Sequence, residues 1–146
     1  MKSRVLFICT GNSARSQMAE GLLRHMADGL FDVYSAGTQP RGLHPLAVEV
    51  MRLQGMDISH QQSTPLQTYQ NDSFDYVITL CHRAHEACPS VKGRFDTIHW
   101  AVDDPAAGNR LLDFQLALKE LKTRLAYLVI IEEKRRTSKR SAPHER

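Results

Sequence analysis

Apolar residues along this chain switch repeatedly between two spacings. Val5-Leu6-Phe7-Ile8 is an unbroken apolar run, the pattern of a strand buried on both faces, and Gly11-Asn12-Ser13 interrupts it at once. Met18, Ala19, Leu22, Leu23 and Met26 then recur at helical spacing, with Gly29 placed as a stop. Phe31 to Ala36 predicts a second strand closed by Gly37, and Pro45 opens a helix through Val48, Met51 and Leu53 that Gly55 ends. Phe74 to Leu80 predicts a third strand, Thr97-Ile98-His99-Trp100 a short fourth, and Phe114, Leu118, Leu121, Leu125 and Leu128 a long final helix. Strands separated by helices predict an α/β fold, a three-layer sandwich in which helices flank a four-stranded parallel sheet. Such a sheet takes its ligand outside the carboxyl ends of its strands. Cys9 ends the first strand and Cys81 the third, so topology alone sends both thiols to one rim.

Composition narrows the class without changing that picture. A chain of 146 residues is long enough to bury one full core, and its apolar (42%) and charged (24%) fractions are those of ordinary globular proteins, so a single catalytic domain over residues 1–133 is expected. The formal charge of +3 misleads, because six of the nineteen basic residues and one of the sixteen acids lie in 134–146, leaving 13 basic against 15 acidic groups in the remainder. That basic stretch, with Ser138, Ser141 and Pro143, reads as a disordered tail. No apolar run is long enough for a signal peptide or a membrane span, and no nucleic-acid-binding motif is visible, so a cytoplasmic monomer is expected. Three cysteines in such a compartment argue against a structural disulfide framework and for reactive, metal-binding or buried thiols.

The segment Cys9-Thr10-Gly11-Asn12-Ser13-Ala14-Arg15-Ser16 sets a thiol and a guanidinium six positions apart across a turn that opens a helix. A loop of this length can curl until its backbone N–H groups converge with the helix N-terminus on a tetrahedral oxyanion, which Arg15 then closes bidentately. Gly11 and Asn12 are residue types that tolerate the positive φ expected of the curl. The same field favours a thiolate: a free thiol with a pKa of about 8.5 is scarcely ionised near neutrality, whereas helix N-termini and cations can lower it to about 3.5–7.5. Ser16 is the candidate hydroxyl donor to that thiolate.

The loop has the form Cys-x-Gly-Asn-x-x-Arg-Ser, and in it the chain resembles the low-molecular-weight tyrosine phosphatase superfamily, a resemblance that runs over nearly everything before the basic tail. Tyr34-Ser35-Ala36-Gly37-Thr38 is similar to the family's segment after the second strand, which implies that Asn12 and Ser35 brace the loop. The resemblance also makes Asp104, in Asp103-Asp104-Pro105, the proton donor. An acid is required because the departing oxygen is a poor leaving group. Ala106 after Asp-Pro, and Ala14 in the loop, offer little to an aromatic ring, so the pocket reads as one for a small anion such as arsenate, phosphate or sulfate. Thr64 stands where some members carry an acidic residue that helps bind a monovalent cation with Asn12, Glu20 and Ser35, and no metal is expected here.

A phosphatase needs only Cys9, Arg15 and Asp104; Cys81 and Cys88 would be superfluous. Arsenate bound to sulfur is different, because a second thiolate that attacks the sulfur expels arsenite and leaves a disulfide. Thr79-Leu80-Cys81 through Cys88-Pro89 resembles the thioredoxin-coupled arsenate reductases of the superfamily. That resemblance implies a Cys9–Cys81 disulfide passed on to Cys81–Cys88, with thioredoxin as external reductant, no tightly bound cofactor and some residual phosphatase activity. The alternatives are a tyrosine phosphatase with incidental cysteines, a zinc-binding structural or sensor protein using Cys81, His82, His85 and Cys88, and a catalytically silent anion binder. His99 and Trp100 are expected at the edge of the site.

Overall fold

The computed structural model describes residues 1–80 and 91–141, with side chains through residue 139. Its strands are β1 (Ser3–Cys9), β2 (Phe31–Gly37), β3 (Phe74–Thr79) and β4 (Gly93–His99). The helices are α1 (Arg15–Ala27), α2 (Pro45–Leu53), the short α3 (Pro105–Gly108) and α4 (Leu111–Ser141), and a 3-10 turn spans Leu66–Tyr69. The four strands form one parallel sheet in the order β2-β1-β3-β4. This is the predicted four-stranded α/β architecture.

β1 runs between two neighbours, and its apolar run follows from that position. Val5, Leu6, Phe7 and Ile8 are fully buried, and each such side chain contributes roughly 1.5–3 kcal/mol relative to exposure. Alternation divides them between two layers. Val5, Phe7 and Cys9 join the main core with Met18, Leu22 and Leu23 of α1, Val50 and Met51 of α2, and Phe114, Leu121, Leu125 and Leu128 of α4. Leu6 and Ile8 face the other side, packing with Phe74, Val77, Val91 and the 3-10 turn residues Leu66 and Tyr69.

Two expectations are corrected. β4 begins at Gly93 rather than Thr97. It is an edge strand whose Arg94 and Asp96 are exposed, so its first half carries no apolar signature. The tail predicted to be disordered from residue 134 is helical through Ser141. The cause is Glu132, whose fully buried carboxylate accepts hydrogen bonds from Ser3 Oγ (2.7 Å) and Tyr76 Oη (2.8 Å) at the sheet. Arg135 Nη2 (2.8 Å) and Arg136 Nε (2.6 Å) also donate to it. Arg136 Nη2 reaches on to the carbonyls of Met1 (2.8 Å) and Leu30 (3.0 Å), and the Arg135 guanidinium lies 4.0 Å from the centre of the Phe95 ring. Burial pushes the Glu132 carboxyl up, but these hydrogen bonds outweigh it and bring it down to about 2. Residues 142–146 lie outside the described residues.

Candidate active site

Every strand is parallel, so all carboxyl ends share one rim, and β1 delivers Cys9 there in register with Gly37. Five consecutive carbonyls of the following loop are taken up from behind. Thr10 O accepts from Gln39 N (2.8 Å), Gly11 O from Arg41 N (2.9 Å), Ser13 O from His44 N (2.9 Å) and Ala14 O from Met18 N (2.8 Å). Asn12 O accepts from Gln17 Nε2 and Ser63 Oγ, both at 2.9 Å. In planar trans peptides the N–H of the next residue points the opposite way, so with the carbonyls held outward the amides of Gly11 through Arg15 turn to the inside. The result is a concave nest at the start of α1, where the helix dipole adds to the attraction for an anion.

Asn12 makes the curl with φ of 44°. Gly11, expected to share that conformation, does not have a positive φ. It is constrained by space instead, since a Cβ there would stand 3.3 Å from Arg41 Cδ. Gly37 matters for the same reason: a Cβ on it would come 2.7 Å from Thr10 O and 2.9 Å from Asn12 N, so only glycine lets β2 pass behind the loop.

The Asn12 side chain ties the loop to the residues around Cys9. Its Nδ2 donates to Ser16 Oγ (2.7 Å) and to Ser35 Oγ (3.0 Å), while its Oδ1 accepts from Thr64 N (2.8 Å). Asn12, Ser16 and Ser35 are all buried. Ser16 Oγ lies 2.9 Å from Cys9 Sγ and accepts from Asn12, which leaves its own proton available to the sulfur. A thiolate can only accept, so an ionised Cys9 would take that proton as a hydrogen bond.

Arg15 is the first residue of α1, its side chain 11% exposed. Its Nη1 donates to Val102 O (2.9 Å) and lies 3.5 Å from Leu80 O, and its Nη2 stands 3.7 Å from Asp104 Oδ2. Asp104 caps α3 by accepting from Ala106 N (3.0 Å) through Oδ1, which leaves Oδ2 turned toward Arg15. A thiol at the floor, converging amides, a guanidinium at the wall and a carboxyl at the mouth are the parts of a nucleophilic displacement at a tetrahedral oxyanion.

The family model described as low molecular weight phosphotyrosine protein phosphatase matches residues 4–140. The chain belongs to the low molecular weight phosphotyrosine protein phosphatase family. Within it, an arsenate reductase of Shouchella clausii is 40% identical over 129 residues, covering 85% of this chain and 93% of its own. A solved arsenate reductase in its phosphate-binding state superposes with a TM-score of 0.78 at 34% identity, covering 89% of this chain and 98% of that one. A thioredoxin-dependent arsenate reductase of Corynebacterium glutamicum gives 0.73 at 29% identity, over 90% of this chain and 62% of that one.

Against this family background, the described residues bring together Cys9, Thr10, Gly11, Asn12, Ser13, Ala14, Arg15, Ser16, Ser35 and Asp104, all singled out from sequence. Cys81 and Cys88 lie outside the described residues, as do His82 and His85 of the zinc alternative. His99 bonds Thr79 Oγ1 through Nδ1 (2.7 Å), and Trp100 packs on Phe7. Among the described residues no group of three or more His, Cys, Asp or Glu could hold a metal ion, and no helix is long and apolar enough to cross a membrane. Gln17, Gly37, Ser63 and the Thr64 amide were missed as loop supports. Gln17 lies only five residues from the carbonyl it pins, but the signal for the others is spatial, because Gly37, Ser63 and Thr64 are 25 to 52 residues from the loop positions they meet.

Proposed function

We propose that this protein is an arsenate reductase that works through a Cys9/Cys81/Cys88 relay regenerated by thioredoxin. The observation that carries the reading is the position of Leu80: its N–H donates to Ile8 O (2.9 Å) and its carbonyl lies 3.5 Å from Arg15 Nη1, so the chain is beside the nucleophile immediately before Cys81. A second thiol next in sequence to such a residue has a purpose in reduction and none in hydrolysis. The similarity to arsenate reductases, one of them thioredoxin-dependent, supports the same choice.

In this mechanism arsenate enters the amide nest and is clamped by Arg15. The Cys9 thiolate attacks arsenic, and Asp104 gives its proton to the departing oxygen, which leaves as water. The Cys81 thiolate then attacks the Cys9 sulfur; the S–As electron pair passes to arsenic, which leaves as arsenite, and the Cys9–Cys81 disulfide forms. Cys88 displaces Cys9 from that disulfide, and two electrons from thioredoxin reopen Cys81–Cys88. Ser16 and Asn12 hold Cys9 ready at both ends of the cycle.

Arsenate-dependent NADPH oxidation in the presence of thioredoxin and thioredoxin reductase tests the reading, with Cys88→Ser expected to complete at most one turnover. A second reading, phosphatase action through a cysteinyl-phosphate, is favoured by the completeness of the Cys9, Arg15 and Asp104 set without any further cysteine. Steady aryl phosphate hydrolysis with no arsenate-driven oxidation would select it.

A further inference from the structure

The polar chain behind Cys9 does not end at Ser35. Ser35 Oγ donates to Glu20 Oε1 (2.6 Å), and the other Glu20 oxygen accepts from Arg24 Nη2 (2.8 Å), one turn further along α1. The same Nη2 donates to Val33 O in β2 (2.8 Å), and Nη1 lies 3.5 Å from Gln61 Oε1. The guanidinium thus fills a nest of oxygens supplied by α1, β2 and the segment after α2. Five hydrogen bonds join it to the nucleophile, in the order Arg24, Glu20, Ser35, Asn12, Ser16, Cys9.

The four links from Arg24 to Ser16 have their direction fixed by chemistry. A carboxylate only accepts, so Ser35 donates to Glu20 and must accept from Asn12, whose second N–H goes to Ser16, whose proton is free to go to sulfur once Cys9 is a thiolate. The Glu20 side chain is 13% exposed and Arg24 40% exposed. Solvent therefore screens the carboxylate incompletely, and its charge reaches its surroundings: the Tyr69 hydroxyl is pushed up by burial first and by Glu20 second. Unpaired, that negative charge would oppose a second one forming on Cys9. The other charged or titratable side chains which the described residues set around the loop are Arg15, Asp104, Arg41 over Gly11 and His44 behind Ser13.

We propose that Arg24 is a positioning residue for the nucleophile, a covalently attached counter-cation that neutralises Glu20 and fixes the Glu20–Ser35–Asn12–Ser16 chain so that Cys9 reacts as a thiolate. The inference rests on Cys9 being the nucleophile, and it is tested by a measurement that needs no arsenate. With Cys81 and Cys88 both changed to serine, Cys9 is the sole thiol, and its alkylation by iodoacetamide is followed against pH. Arg24→Met should move the profile to higher pH by about one unit, the size of an unpaired charge roughly 10 Å away at an effective dielectric constant near 20. Arg24→Lys, which keeps the charge, should move it much less. Adding Glu20→Gln to Arg24→Met removes the offending charge while keeping an acceptor for Ser35, and should return the profile toward the parent.

A folded Arg24→Met protein with an unmoved profile overturns the proposal, as does a shift that Glu20→Gln fails to reverse. If Arg24→Met does not fold, Glu20→Gln alone decides: it leaves Arg24 unopposed and should lower the profile, and an unmoved or raised one overturns the proposal. A parent protein that alkylates like an ordinary thiol would instead remove the reading of Cys9 on which all of this depends.

Discussion

The two ends of the sheet each bury a polar network, and the two are built on opposite terms. At the amino end, Glu132 is a full charge in the core, surrounded by two arginines, a tyrosine and a serine until its accepting capacity is filled. At the carboxyl end, the chain through Asn12 and Ser16 stops at the Cys9 sulfur, at the root of the loop. The first network joins α4 to β1 and β3 and has nothing left to offer a ligand. The second directs its donors at a place where charge arrives and changes. A saturated network holds a fold together, and one left open at a single atom can do chemistry.

Substitutions at either end should separate these roles. Cys9→Ser should abolish arsenate-dependent NADPH oxidation while leaving the melting temperature nearly unchanged. Asp104→Asn removes the acid but keeps the cap on α3, and single-turnover adduct formation should slow by about 10²–10⁴-fold. Glu132→Ala should do the reverse. Removing one partner of a buried charge network typically costs about 3–5 kcal/mol, so urea denaturation should show a loss of that size, with normal activity per folded molecule. Acid should reach the same network: its carboxyl is held below its ordinary 4.5, at about 2. Its contribution is therefore fully present above about pH 4.5 and is lost as pH falls toward 2. A shift of this size corresponds to about 3 kcal/mol, so the difference in unfolding free energy between the parent and Glu132→Gln should narrow across that window. The smallest effect is expected from Gly37→Ala, whose methyl group presses on Thr10 O and Asn12 N. It should weaken phosphate binding, read by calorimetry, by about tenfold while the sheet stays intact.

Much of the carboxyl end was legible because its chemistry is local. The apolar run of β1, the Cys9 to Arg15 spacing and the positive φ at Asn12 all lie within a dozen consecutive residues, where composition and geometry constrain each other. The supports were not legible. Ser63 and the amides of residues 39, 41 and 44 act only once the chain has brought them behind the loop, and each is an unremarkable polar group until then; Gln17 is close in sequence, but nothing in its residue type marks it as a support. The amino end was misread for a related reason. A run containing Lys134, Arg135 and Arg136 looks solvated unless Glu132 is known to be buried beneath it, and helical periodicity carries no marker for a buried acid. β4 was shortened because an edge strand need not be apolar.

The outward-pinned carbonyls of residues 10–14 carry a further implication. A cradle whose amides are already aimed spends no energy rearranging when a guest arrives, but it also senses little beyond four oxygens and a negative charge. Phosphate satisfies that description as well as arsenate does and is the far commoner visitor in any cell. On the proposed relay, discrimination would be kinetic, exercised after capture: a phosphorus adduct has no accessible lower oxidation state to fall into, so a thiol that strikes its sulfur gains nothing, and the guest departs unchanged.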